Sequence, residues 1–371
     1  MRKRVLAIAT LLVLVAGVLF LTRGSSTPVA AEDSRPAPGE KASTPSPVAS
    51  AGGPSQTPQT GRVVIPPSES KTPSERVFFQ GSWGSGEEQF GRLKANESNP
   101  EAPMSIAADR QGNVYVLDQV NGRISRFDKS GKVLPPIPVT QQVPRDLEIS
   151  STGTLLVMDN LRDNTVAVLD PDGKPLGELP VPGKNLEKGG QAVGVFADSS
   201  GVYVERGQGM AVRVGDAAGN IDPQRPLLDG RPSRDGASLL SMAVIQMPAG
   251  RFWVRSLERA TGQMKFMREY VLPTPIVRLS LLDSDATGRI YVAAHVAREQ
   301  FDPATKAGQW MEESVQLLCL SPMGEVQKVL SLPPNTLADE SVRDLTVRDD
   351  GLVLYMHRTQ EGVQLLQYSC G

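Results

Sequence analysis

Gly112-Asn-Val-Tyr-Val-Leu-Asp118, followed by Asn121-Gly-Arg-Ile-Ser-Arg-Phe-Asp128-Lys-Ser-Gly131, holds the whole architecture in miniature. A glycine that tolerates the positive φ of a tight turn precedes an alternating apolar strand, and an Asp-x-x-Gly turn ends the next one. The first half returns as Gly153-Thr-Leu-Leu-Val, Gly201-Val-Tyr-Val, Gly250-Arg-Phe-Trp-Val, Gly288-Arg-Ile-Tyr-Val and Gly351-Leu-Val-Leu-Tyr, at steps of 38 to 63 residues. The second half returns at Asp170-Pro-Asp-Gly173, Asp216-Ala-Ala-Gly219 and, more loosely, Ser321-Pro-Met-Gly324. The apolar period is two rather than 3.6, which excludes a helical solenoid. Two hairpins per unit of this length make the four-stranded blade of a β-propeller.

Six such units predict an all-β, six-bladed propeller of four-stranded antiparallel blades. The last unit offers three strands before the chain ends at Gly371, and an orphan strand, 76–84, precedes the first. Adding that strand to the final blade would close the ring and leave no bare edge at the seam. The propeller then spans 76–371. Its fourth unit is the weakest, because Gln263 to Leu272 lacks the Asp-x-x-Gly turn.

Outward from the repeat, the N-terminus changes character twice. Met1-Arg2-Lys3-Arg4 caps a run from Val5 to Thr22 closed by Arg23. Eighteen residues at about 1.5 Å each give roughly 27 Å of helix, enough for the hydrocarbon core of a bilayer. Segment 1–23 therefore predicts a single-span signal anchor with the remainder exported; a signal cleaved after Val29-Ala-Ala31 is the other reading. Segment 24–75 is rich in Pro, Ser, Thr, Ala and Gly and predicts a disordered tether, since it has too little apolar surface to offset its ordering entropy. The expected location is the bacterial inner membrane, with the propeller in the periplasm or outside the cell.

The chain has 39 Lys and Arg against 41 Asp and Glu, so it lacks the basic field that nucleic-acid binding needs. Two His and two Cys argue against a multi-His metal site, a thiolate zinc cluster or a disulfide framework. No cofactor or metal is expected. Cys319 and Cys370 fall on the third strands of adjacent blades, but a three-residue offset between them argues against a bridge.

Blade one carries a family likeness. Gly84-Ser-Gly-Glu-Glu-Gln-Phe90, Pro103-Met-Ser-Ile-Ala-Ala-Asp109, Gly112-Asn-Val-Tyr-Val-Leu-Asp118 and Asn121-Gly-Arg-Ile closely resemble an NHL repeat. Blade two matches partly, through Asp159 and Asn164, and the others keep only the strand pattern. The resemblance implies a propeller used mainly as a binding or scaffolding surface. Some relatives, such as streptogramin lyase and the gluconolactonase group, are instead enzymes with polar groups around the channel.

Three sets of residues are candidates for function. Arg145, Arg343 and Arg278 occupy matching places at the start of innermost strands, where their guanidinium groups could converge on an anion at the channel mouth. The competing reading pairs each with a local acid such as Asp146 or Asp344. Asp118, Asp159 and His357 each lie six residues after a hairpin glycine, and a polar ring there could bind a cation or act as acid and base. The competing reading has Asp118 and Asp159 satisfying backbone amides of the following turn. Finally, His295 to Ser314 replaces a short connection with a long loop carrying Phe301 and Trp310, apolar anchors of the kind enriched in interfaces. The expected function is non-catalytic binding of a protein or cell-envelope ligand by a membrane-tethered propeller. The alternative is a lyase or hydrolase working at the channel mouth.

Overall fold

Each glycine turn does fold as a hairpin, and the hairpins assemble into six sheets around one axis in the computed structural model. It describes residues 59–67, 76–94, 100–207, 209–301, 308–337 and 339–371. The expected membrane anchor (1–23) and most of the expected tether lie outside the described residues. No helix among the described residues is long and apolar enough to cross a membrane.

Blade one runs from the axis outward as Ser105–Ala108, Val114–Asp118, Arg123–Phe127 and Val133–Pro138. Blade two follows the same order with Asp146–Ile149, Leu155–Asp159, Thr165–Leu169 and Pro175–Pro180. Blade three is Ala192–Asp198, Gly201–Arg206, Met210–Gly215 and the short Leu227–Leu228. Blade five is Ile276–Ser284, Ile290–Phe301, Gly308–Leu320 and Val326–Leu332. In blade six, Leu345–Val347, Leu352–Arg358 and Gly362–Ser369 are completed by Arg76–Ser82, antiparallel to the third strand. The N-terminal strand thus closes the ring as expected.

Blade four departs from the expected repeat in two ways. Its inner hairpin turns at Gly236, φ +74°, not at Gly250. The inner strand is only Arg231–Pro232, and Ser238–Gln246, Arg251–Glu258 and Met264–Val271 follow outward. Gly250 instead sits between the second and third strands, where its N–H donates to Met247 O. Proline removes a ladder donor, so Pro232 keeps the inner strand short and masks its pattern.

The second departure corrects the tether. Gln59–Val64, expected to be disordered, is a fifth, outermost strand of blade four, parallel to Met264–Val271 over six paired residues. Its backbone groups pair with the blade's open edge, and Ile65 just beyond is buried in the apolar cluster of blades four and five. An isolated polar segment has no reason to be ordered, but a segment that satisfies a bare sheet edge does.

Apolar clusters fill the seams between consecutive blades. The seam between blades three and four is much thinner. Its buried cluster is Phe196, Tyr203 and Ala211. Cationic groups supplement it: Arg231 lies over the Phe196 ring at 4.4 Å, and Arg259 reaches Asp198 and the Tyr203 hydroxyl.

Cys319 and Cys370 form a disulfide between blades five and six, with Cα atoms 6.1 Å apart. This corrects the expectation drawn from their offset: Cys370 lies just past the end of its strand, and there the chain reaches its neighbour.

Candidate functional site

The propeller axis is crossed by a ladder of buried charges. In blade two, strand alternation sends Leu147 and Ile149 into the seam with blade one and leaves Asp146 and Glu148 for the other side. Arg343 of blade six reaches them across the axis, with Nη1 donating to Glu148 at 2.5 Å and Nη2 to Asp146 at 2.7 Å and to Val195 O at 2.6 Å. Asp146 also accepts from Ser105 Oγ of blade one and Val195 N–H of blade three. From blade four, Arg234 binds Asp283 of blade five at 2.9 Å and approaches Glu148 at 3.9 Å. Arg231 faces Glu205 of blade three at 3.3 Å and Asp283 at 3.7 Å.

This ladder has three arginines and four acids. Burial pushes the Glu205 carboxyl up, against the pull of Arg231 and Arg343. Burial would do the same to Asp283, but Arg234 and Arg231 outweigh it and hold that carboxyl low.

The three arginines singled out from sequence have separate fates. Arg343 is buried and spends both terminal nitrogens on the ladder and on Val195 O. Arg145 pairs with Glu340 at 2.7 Å. Arg278 makes one bond, to Asp344 Oδ2 at 3.1 Å, and its side chain is 47% exposed. Pairing with an acid, the competing reading, describes all three; Arg278 differs in keeping the most exposed guanidinium of the set. Arg231, Arg234, Glu205 and Asp283 were not singled out from sequence, although Asp146 and Glu148 stand in the very Arg145-Asp-Leu-Glu motif that was.

Asp118, Asp159 and His357 form no ring. Asp118 accepts from Gly91 N–H, Asn121 and Arg123. Burial raises its pKa even so. Asp159 accepts from the amides of Val143, Leu161 and Arg162. His357 donates from Nε2 to Pro334 O at 3.0 Å, with Nδ1 3.4 Å from Gln364 Oε1. Each ties its strand to the segment that leads into its own blade, and no hydrogen bond links any two of them.

The segment around His295–Ser314 is a two-stranded ribbon rather than a loop. Pairing continues through Glu299↔Trp310 to Phe301↔Gly308. Residues 302–307 lie outside the described residues. Because Ile276 pairs with Val296 and Arg278 with His295, the ribbon extends past the start of blade five's inner strand. It therefore leaves the face on which Arg145, Arg278 and Arg343 begin their blades, as expected. Phe301 is 61% exposed, Trp310 48% and Met311 40%.

Beside the ladder lies a cavity of about 390 Å³. Arg206, Arg231, Arg278 and Glu205 supply its charged wall, and Leu240, Met242 and Leu279 are among its apolar residues. The two-residue inner strand of blade four accounts for it. The other blades place an inner strand of three or more residues there; in blade four the pairing ends at Arg231↔Leu240, and Met242, two residues further along the second strand, is left half-buried at the cavity.

No family model matches this chain, and no curated protein matches it. Among solved structures, hydrazine synthase of Kuenenia stuttgartiensis is 16% identical, with 71% of this chain and 80% of that one aligned at a TM-score of 0.44. A streptogramin B lyase structure is 14% identical over 74% of this chain and 95% of that one, TM-score 0.38. A catalytically inactive virginiamycin B lyase from Staphylococcus aureus with quinupristin is 11% identical over 75% and 98%, TM-score 0.41. Likeness at this level carries no argument about activity.

Proposed function

We propose that this chain is an exported, membrane-tethered propeller of the NHL type that binds a protein or cell-envelope ligand without transforming it. The N-terminal basic-apolar run supports the tether and the blade-one motif supports the family. The single observation that carries the binding reading is the ribbon, which holds Phe301, Trp310 and Met311 in solvent on the face next to the cavity. Exposed aromatic anchors beside a concave rim are the ordinary composition of an interface centre. The lyase or hydrolase reading would need an available base among the three groups that the sequence offers for acid and base work. His357, Asp118 and Asp159 are instead occupied by the bonds that tie their strands to the segments leading into their own blades.

The reading is tested by affinity capture of the full chain from membranes of its native host. Replacing Phe301 and Trp310 together by Ser should remove the co-purifying partner while the melting curve stays unchanged, because both side chains are exposed. A partner retained at wild-type yield by that variant would refute the ribbon as the interface.

A further inference from the structure

We propose that the cavity between blades three, four and five is a binding site for a small amphipathic carboxylate, with its head on Arg278 and Arg206 and its apolar body on Met242 and Leu279. This goes beyond the partner surface and stands whether or not the ribbon captures a protein.

The cavity is lined by four arginines, Arg206, Arg231, Arg278 and Arg343, and the acids Asp146 and Glu205, while Glu148, Asp283 and Asp344 pair with these arginines from outside it, so what the cavity offers an anion is unused N–H donors and not net charge. Arg343 already spends both terminal nitrogens on Asp146, Glu148 and Val195. The others do not. Arg278 commits one nitrogen, to Asp344, and Asp344 keeps a second partner in Arg358 at 2.9 Å. Arg206 donates once, to Asn185 O at 3.2 Å. Arg231, its side chain 90% buried, has Nε and Nη2 without a hydrogen-bond partner. Arg231 already has Glu205 and Asp283 facing it, whereas the free donors of Arg278 and Arg206 are accessible and can make charge-assisted bonds to an anionic oxygen.

Shape narrows the choice of ligand. The space is about 390 Å³, at the small end of ligand sites, and one wall is aliphatic. Glycine keeps another wall thin: a Cβ on Gly194 would meet Glu205 Oε2 at 2.7 Å and Asp146 Oδ2 at 3.2 Å. A fully hydrated inorganic anion would leave the aliphatic wall wet, and a neutral apolar molecule would leave the free donors of Arg278 and Arg206 unused. An anion with a short hydrocarbon body satisfies both walls. The planar fork of a guanidinium matches a carboxylate in particular.

The test is calorimetric titration of the full chain at low salt with 4-phenylbutyrate, its neutral isostere 4-phenylbutanamide, acetate, and 2-phenylethyl phosphate. Phenylbutyrate should bind at least about tenfold more tightly than the amide or acetate, a difference of one decade in Kd. Arg278→Ala should weaken it about tenfold or more, and salt should weaken it further. Met242→Trp, which fills the apolar wall, should abolish binding. Arg278→Ala is expected to fold, because Arg358 remains on Asp344. Equal binding of acid and amide, no binding of phenylbutyrate at millimolar concentration, or unchanged affinity in folded Arg278→Ala would each overturn the proposal. Preference for the phosphate over the carboxylate would overturn the assignment of the head group.

Discussion

Arg343 shows how far a side chain's chemistry depends on what folding brings to it. Its position in Arg343-Asp-Leu-Thr, matching Arg145-Asp-Leu-Glu, was legible as a paired motif at the start of two inner strands. Its partners were not, because Glu148 and Asp146 lie 195 and 197 residues away in sequence and meet it only when the ring closes. Arg343→Ala should therefore act as a stability mutation. It leaves buried Asp146 without its cation and Glu148 with only Arg234, 3.9 Å away, a change that costs about 3–5 kcal/mol. Denaturant unfolding measures it, and a loss below about 1 kcal/mol would show that the ladder is not what closes the axis.

The same ladder sets a pH dependence with two opposite signs. Glu205 has a folded pKa above its unfolded value near 4.5, so its contribution to stability is complete below that value and is lost as pH rises through the folded one. The groups facing it are Arg231, Arg343, Asp146 and Asp283. Asp283 has a depressed folded pKa, so its contribution is present above an unfolded value near 3.8 and disappears as pH falls through the folded one. Accordingly Glu205→Gln should be at least as stable as wild type at pH 7, whereas Asp283→Asn should lose stability there and converge on wild type in acid. Melting temperatures of the three proteins from pH 3 to 8 decide it. Glu205→Gln melting well below wild type at pH 7 would reverse the assigned sign.

At the scale of elements, legibility followed pattern strength. Blades one, two and six repeat a glycine turn and an alternating strand, and those strands formed where the repeat placed them. Blade four's Gly250-Arg-Phe-Trp-Val imitates that signal, yet it begins the third strand. The true hairpin, Ser233-Arg-Asp-Gly236, follows an inner strand too short to alternate. Gln59–Val64 was concealed for a different reason. Five of its six residues are exposed, so composition shows only polarity, while its order comes from backbone pairing and from Ile65 behind it. The outer edge of blade four should depend on this strand. A chain beginning at residue 59 should match the full chain in stability, and one beginning at residue 68 should be clearly weaker. Ile65→Ala alone should cost about 2–4 kcal/mol, as for other buried Ile truncations. Equal thermal stability of the two truncated chains would show that the fifth strand is ornamental.

For the whole molecule, two devices hold the last blade to the ring. Arg76–Ser82 supplies its outer strand, and Cys319–Cys370 ties it to blade five across a separation of 51 residues. By the chain-entropy relation a loop of that length is worth about 4 kcal/mol. The blade-three to blade-four seam has no comparable apolar packing, and it is there that the cavity opens, on the face that carries the ribbon. One face therefore gathers an apolar ribbon, an exposed arginine and a cavity, and the account rests on that face meeting its ligand. The most direct measurement is photo-crosslinking in intact cells of the native host, with a photoreactive amino acid placed at Trp310, at Phe301 or, on the outer rim of blade two, at Leu176, itself 48% exposed. The account predicts a discrete crosslinked species from positions 301 and 310 and none from 176. The same products from all three positions, or products from 176 alone, would contradict it.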